Sequence, residues 1–371
     1  MREYKNIQAQ HVETAEAIAS FPASAGREDF LQPAFKGAHL PAGDQYAELK
    51  RMIKQKGLLE QQPVYYTLKI LSTLALLAVG IVLLPLSNHF WLQLLDAVYL
   101  GFVFTQLAAL THDIGHRQVF RTTWKTNVTN LLVANLLVGL SGAWWVDRHN
   151  QHHSHPNQFD LDPDIAIPFI SFSVEEARNK PRFLRFIVKY QAYFFFPTQV
   201  LVILGFTILS IRFILEKKAR YPFAEALLII LHYILYIGLL LTCLNIWQAL
   251  VFLLVQQACT GLYLGSIFAP NHKGMLMLDR ESQLDFLHRQ VLTSRNIQAH
   301  PLIDFWYCGL NYQIEHHLFP PMPRNRLKEA QRVVKAFCQS RDISYYETSH
   351  LQSYKEILSA LHEASAPLRK A

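Results

Sequence analysis

The chain has 371 residues, of which 51% are hydrophobic and only 17% charged, with a formal net charge of +7. A charged share well below the roughly 25% of ordinary soluble chains, with a mean hydropathy of +0.11, excludes a disordered protein and argues against a wholly soluble enzyme. Beside long apolar runs, the basic balance points to an anionic membrane face rather than to nucleic acid, and four cysteines without CxxC or framework spacing point to a reducing compartment.

Residues 1–43 show no sustained period and lack the charged start and apolar core of a secretory signal, so a cytosolic arm is expected. Asp44 can cap a helix over Gln45–Gly57, where Lys50, Arg51, Lys54 and Lys56 lie beside Tyr46, Leu49, Met52 and Ile53. That basic amphipathic pattern suits a membrane surface. Arm and helix, 1–60, precede one main domain, 61–371. Tyr65–Leu86 and Phe90–Leu110 each meet the roughly 20 apolar residues a bilayer core requires, and the link Ser87-Asn88-His89 makes them a hairpin. Val128–Trp145 is interrupted by Asn130, Asn135, Gly139, Ser141 and Gly142, and Ala192–Leu215 by Pro197. The apolar runs Phe223–Cys243 and Ile246–Phe268 follow. From Ala269 the chain is polar, with amphipathic helices predicted over Asn325–Gln339 and Leu351–Glu363.

Loops rich in Lys and Arg belong on the cytoplasmic side. Lys50–Lys56, Arg117–Lys125, Arg178–Lys189, Lys217–Arg220 and Lys273–Arg280 are such loops, whereas the links at 87–89 and 244–245 carry neither residue. Val128–Trp145 and Ala192–Leu215 therefore have basic flanks on both sides and are expected to be re-entrant or interfacial. The expected fold class is an all-α, multi-pass integral membrane protein. Its four transmembrane helices lie at about 65–86, 90–110, 223–243 and 246–268, beside two re-entrant or interfacial helices and a cytosolic helical cap, 111–190 and 269–371.

Histidines cluster in that cap. His112 and His116 stand at i and i+4, so on a helix both rings share a face. His149, His152 and His153 stand at i, i+3 and i+4, and Gln313, His316 and His317 repeat the spacing. His272 follows the last span almost at once. Imidazole suits iron, copper, zinc and nickel, and this many nitrogen donors exceed the shell of one ion, so two ions are implied. A zinc pair could support hydrolysis, but the zinc protease pattern fails, since Asp113 stands where its general-base Glu would be. Iron in a histidine shell beside a hydrocarbon phase points to oxygen chemistry. A histidine-rich metal transporter is the rival reading, and it requires ionisable residues along the spans rather than at their ends.

The three boxes at His112–His116, His149–His153 and Gln313–His317 resemble those of the membrane fatty acid desaturase family. The flanking residues agree: Trp145 before box two, Ser154-His155-Pro156-Asn157 and Asp162-Pro163-Asp164-Ile165 after it, Gln290-Val291-Leu292-Thr293-Ser294-Arg295-Asn296, then Leu318-Phe319-Pro320 and Pro323-Arg324 after box three. The glutamine opening box three resembles the subgroup of front-end and bacterial acyl desaturases. The resemblance implies a non-haem di-iron centre, two Fe ions held by His112, His116, His149, His152, His153, His272, His316 and His317. Gln313 stands where other desaturases have histidine and offers a weaker ligand, its amide oxygen. Phe268 stands where acyl-CoA desaturases have an asparagine that holds a metal-bound water, with Asn271 the neighbouring substitute. With O2 as co-substrate, the family removes two hydrogens from adjacent methylenes and leaves a cis double bond, chemistry that belongs to the metal rather than to an acid or base. The implied substrate is a fatty acyl-CoA or acyl-lipid, held in a tunnel framed by spans two and four. The HPGG motif of a fused b-type cytochrome domain is absent, so electrons are expected from an external donor, ferredoxin or a b-type cytochrome with its reductase. A hydroxylase or ketolase would use the same boxes.

Ligand histidines commonly donate their second ring N–H to a carboxylate or carbonyl. Asp113, Asp147, Asp160, Asp162, Asp164, Asp304 and Glu315 are candidates, with His155 and Asn271 as further supports. Asp96 lies within a span, where an ionisable group is functional by default or hydrogen-bonded to a neighbouring helix. His232 reads as an interior histidine, and His89, His300, His350 and His362 as surface residues. Tyr193–Phe196 reads as an interfacial belt. Arg182, Arg185, Lys189 and Arg324 could attract an anionic head group or an acidic donor, or form a solvated positive face.

Overall fold

The computed structural model describes residues 42–370, so the arm expected at 1–43 lies almost wholly outside the described residues. In chain order the helices are α1 (Ala42–Gln55), α2 (Pro63–Leu86), α3 (Phe90–Gly115), α4 (Thr123–Asn130, continued as a π-helical stretch Leu131–Val138), α5 (Gly142–Ser154), α6 (Val174–Asn179), α7 (Arg182–Lys189), α8 (Gln191–Thr198), α9 (Val202–Leu215), α10 (Pro222–Cys243) and α11 (Ile246–His272). The C-terminal part adds α12 (Phe286–Leu292), α13 (Pro301–Trp306), α14 (Gln313–Leu318), α15 (Leu327–Gln339), α16 (His350–Ala364) and α17 (Ala366–Lys370). Two short parallel strands, β1 (Asn296–Ile297) and β2 (Glu347–Thr348), tie the start of this region to its end.

Local chemistry explains the boundaries. Proline at the first turn opens α2 and α10, where its missing N–H costs nothing. Asn245 and Gln248 form a reciprocal capping box at α11, and Asp285 caps α12 through Leu287 N and His288 N. The interrupted run around 128–145 breaks as its residues predict. Gly139, at φ 82°, ends the π-helical stretch, and the chain turns by 106° into α5.

Among the described residues, five helices are long and apolar enough to cross a membrane: α2, α3, the continuous run Gln191–Leu215 that joins α8 to α9, α10 and α11. α3 and α11 are the central pair, 67% and 44% buried over their apolar windows against 17–22% for the others, whose apolar side chains face outward. The hairpin tips at 87–89 and 244–245 lie together, with Leu84, Phe90 and Leu244 in one apolar cluster, while His112 and His272 end the same helices at the opposite level. That parity puts Lys217–Arg220 on the histidine side. The run at 191–215, although long enough to cross, thus starts and ends on one face, as its basic flanks require. Pro197 does not end the run: the chain passes through a turn of 3-10 helix at Gln199–Leu201 and continues as α9.

The cap has its own core of Leu287, Val291, Ile314, Leu318, Leu327, Val334 and Phe337. α1 belongs to it. Leu49 and Ile53 are fully buried there, and Tyr46 donates to the Leu318 carbonyl at 2.9 Å. The apolar face expected on a membrane surface is instead spent on the cap.

Candidate metal centre

α3 and α11 pack closely where Gly101 faces Cys259: a Cβ on Gly101 would lie 2.7 Å from that of Cys259. At Gly101 the two helices are thus in direct contact. On another face of α11, Gly261 and Gly265 make room for Gln199 of the 3-10 turn before α9. Nearer the histidines the seam between α3 and α11 is bridged by polar groups: Gln106 Nε2 donates to Tyr263 Oη at 3.1 Å, and Lys69 Nζ donates to Gln106 Oε1 at 3.0 Å.

Both helices end at one level with His112, His116 and His272. α5 reaches them where Gly115 leaves room for the Trp145 ring, which stacks on His149 with centroids 4.5 Å apart. On α14, Ile314 and Leu318 anchor in the cap core, which turns Gln313, His316 and His317 inward.

The imidazoles form two groups whose nitrogens lie within 4.8 Å of one another: His112, His116, His149 and His316, and then His152, His272 and His317. His153 stands between them. Its Nε2 is 3.0 Å from His149 Nε2 and 3.1 Å from His316 Nε2, and its ring stacks on His317 at 4.1 Å. His112 Nε2 is 3.1 Å from His316 Nε2, and His152 Nε2 is 3.3 Å from His272 Nε2.

The outer ring nitrogens say what these contacts are. His152 Nδ1 lies 3.0 Å from both oxygens of Asp162, His272 Nδ1 lies 3.0 Å from the Thr293 carbonyl, and His317 Nδ1 lies 2.8 Å from Gln290 Oε1. Each partner is an acceptor, so each Nδ1 carries the proton, and a neutral ring then turns a bare Nε2 inward. Burial pushes the pKa values of His272 and His317 down, whereas at His152 burial is overcome by Asp162 and Asp164, which push it up. His152 Nε2 and His272 Nε2 face one another at 3.3 Å, and two bare nitrogens at such a distance repel unless a cation lies between them. Two ligands held at about 2.0–2.1 Å from one ion are separated by about that distance. His116 Nε2 and His317 Nε2 are buried with no hydrogen-bond partner. Burial, followed by the neighbouring imidazoles, pushes the pKa values of His316 and His317 well below the ordinary histidine value, which keeps both rings neutral. The donor set fits a pair of transition-metal ions.

The supports divide. Asp162, 1% exposed, also accepts from Asn157 N and Asp164 N, each at 2.8 Å. Burial alone would raise its carboxyl, but His152 and Lys273 hold it below the usual carboxylate range. Asp164 lies 3.7 Å from His152 Nδ1 and pairs with Arg148 at 2.9 Å. Asp113 lies 3.4 Å from His112 Nδ1 and forms an ion pair with Arg324 at 2.7 Å. Arg324 is therefore a buried partner of box one and not a surface cation. Asn271 Nδ2 donates to Gln313 Oε1 at 2.9 Å, and Gln313 Nε2 faces His272 Nε2 at 2.9 Å. As oriented, Gln313 offers its N–H to the cluster rather than its oxygen.

Two expected supports act elsewhere. Glu315 accepts from Asn296 Nδ2 at 2.6 Å and from Tyr345 Oη at 2.8 Å, and burial pushes its pKa up to about 7. It points away from the rings because, one position before His316 on the helix, it lies on another face. His155 bonds Gln158 Oε1 at 3.0 Å, since α5 ends before it. Asp147 and Asp304 are likewise engaged away from the rings, with Gln151 and with Asn311 and Tyr312. Sequence reasoning missed the roles of Gln290 and Thr293, although both lie in the quoted segment 290–296. A carbonyl acceptor leaves no residue-type signal, and a glutamine does not announce its partner.

Residues 89–349 match the family model described as fatty acid desaturase. The Acyl-lipid (9-3)-desaturase of Physcomitrium patens is 31% identical over 86% of this chain, which spans 62% of the length of that relative. The Delta(6)-fatty-acid desaturase fat-3 of Caenorhabditis elegans is 28% identical over 84% of this chain and 72% of its own length. The Delta(8)-fatty-acid desaturase of Euglena gracilis is 28% identical over 82% of this chain and 74% of its own.

Proposed function

Because the chain belongs to the fatty acid desaturase family, we propose that it is an O2-dependent fatty acyl desaturase. It introduces a cis double bond into the acyl chain of an acyl-CoA or acyl-lipid at a histidine-held di-iron centre. The observation that carries this reading is the convergence of seven imidazoles in two groups, with His153 between them. One iron would be held by His112, His116, His149 and His316, the other by His152, His272 and His317. A turn of the Asn271 and Gln313 amides together would bring Gln313 Oε1 to the second iron. When bound, the iron pair supplies the redox chemistry with O2 that an unactivated methylene demands.

The residues of the chain do the rest. Asp162, the Thr293 carbonyl and Gln290 keep protons on the outer nitrogens of His152, His272 and His317, so that Nε2 stays free and each ring is fixed in plane. The buried walls keep water from the reacting carbons. The histidine face is cytosolic in this reading, and an external donor, ferredoxin or a b-type cytochrome, delivers electrons there. Expression in a host lacking such activity, with mass spectrometry of double-bond position and iron analysis of the purified protein, tests it. A new cis double bond and two irons per chain are expected. An inserted protein that binds iron and yields hydroxylated or unchanged lipid would overturn it.

A further inference from the structure

Glu225 opens α10 and is only 3% exposed. A carboxylate at that depth is costly unless donors meet its oxygens. Its Oε2 accepts from Asn135 Nδ2 at 3.1 Å and from the Ser141 hydroxyl. Ser141 is the residue that caps α5, its Oγ accepting from Trp144 N at 3.1 Å. The backbone N–H of Ser141 donates to Ser210 Oγ on α9 at 2.6 Å, and Gly142 N donates to Asn135 Oδ1 at 3.4 Å. Two turns along α10, His232 Nδ1 meets the Leu136 carbonyl at 2.9 Å, and its ring fills the space beside Gly139. The backbone and side-chain groups at the 106° break are thus held by α9 and α10, in surroundings where Asn135, Ser141, Ser210 and Glu225 are all buried.

From Ser141, α5 runs without interruption to His149, His152 and His153, on the order of 12 Å to the first of them at 1.5 Å per residue. The far end of α5 is tied separately, by Asp162 to His152, by Gln290 to the His153 carbonyl at 2.9 Å and by Arg148 to the Pro163 carbonyl at 2.6 Å. Held at both ends, α5 takes the places of its imidazoles from these ties and from the angle at which it enters. We propose that Glu225 is a positioning residue for the metal centre. Through the Ser141 hydroxyl its carboxylate sets the entry angle of α5, and with it the places of His149, His152 and His153. A charge-assisted hydrogen bond suits that task because it is roughly twice as strong as a neutral one. The inference rests on the metal reading of the histidines and adds a control point on a helix that carries none of them.

The test uses the full chain in lipid nanodiscs, stripped of metal and titrated with Co(II), with affinity and ligand-field absorption as readouts. Glu225→Ala and Ser141→Ala should each weaken Co(II) binding about tenfold, the scale of a lost support to a metal ligand, and shift the absorption bands. The double variant should lose no more than the worse single one, and Ser141→Thr, which keeps the hydroxyl, should bind within about twofold of the parent, on the same scale. Unchanged affinity and spectra in both alanine variants would overturn the proposal, as would additive losses in the double variant. If Glu225→Ala fails to insert, the contrast between Ser141→Ala and Ser141→Thr decides, since both leave Glu225 paired with Asn135. A parent protein that binds no Co(II) would refute the metal reading itself, and the proposal with it.

Discussion

His152, His272 and His317 owe their role to what lies behind them. A histidine whose Nδ1–H is held by a fixed acceptor has one tautomer and one orientation, and both favour a bare Nε2 aimed at the cluster. Gln290→Leu removes the acceptor behind His317 and leaves its volume nearly unchanged. Iron affinity is expected to fall about 10- to 100-fold, measured by chelator competition, with the protein still inserted. His317→Ala should abolish desaturation altogether, and retained activity would deny the ring its place as a ligand. The buried Asp113–Arg324 pair makes a different prediction. Burial opposes the guanidinium charge, but Asp113 outweighs it and raises the pKa of Arg324. Arg324→Met leaves Asp113 buried and uncompensated, at a cost of about 3–5 kcal/mol. Adding Asp113→Asn should recover much of that loss, as read by thermal unfolding of the metal-free protein.

At the level of elements, the centre depends on how closely α3 and α11 approach. Gly101 decides that distance, because a side chain there meets the Cβ of Cys259 and the Gln256 carbonyl. Gly101→Val should destabilise the fold by about 1–3 kcal/mol, the usual range for overpacking, and should splay His112 from His272, seen as reduced iron content. α14 shows the opposite economy. It is only six residues long, yet Gln313 to Leu318 are all buried. Such a helix has little stability of its own and is held by the cap core on one side and by Asn296, whose Oδ1 accepts from Ile314 N at 2.9 Å, on another.

Across the whole molecule, the two hairpins and the break before α5 put all four histidine-bearing segments on one face. Cysteine labelling at Ser154 and Lys218 should therefore report the same side. Opposite sides would mean that the run at 191–215 crosses and would break the parity drawn from the hairpins. The outward-facing apolar side chains of α2, α9 and α10 require lipid, as Leu86, Leu215 and Phe223, 72%, 75% and 86% exposed, make plain.

The histidine spacings, the apolar runs and the basic loops were legible in the amino-acid order because each is a local pattern: i, i+4 rings share a helix face, a bilayer demands length, and charge chooses a side. Those patterns determined the class of fold, the boxes and their gathering at one end of the helices. The supports were another matter. Asp162 was legible as a candidate, but Gln290, Thr293 and Arg324 act across 27, 21 and 211 positions of chain (317 − 290, 293 − 272, 324 − 113). No residue type declares such a partner in advance. Glu315, adjacent to His316 in sequence, turns elsewhere because one step along a helix rotates a side chain by about 100°, and His155 turns away because α5 ends before it. Only the packed structure, by closing long loops onto one small volume, decided which neighbours in the chain became neighbours in space.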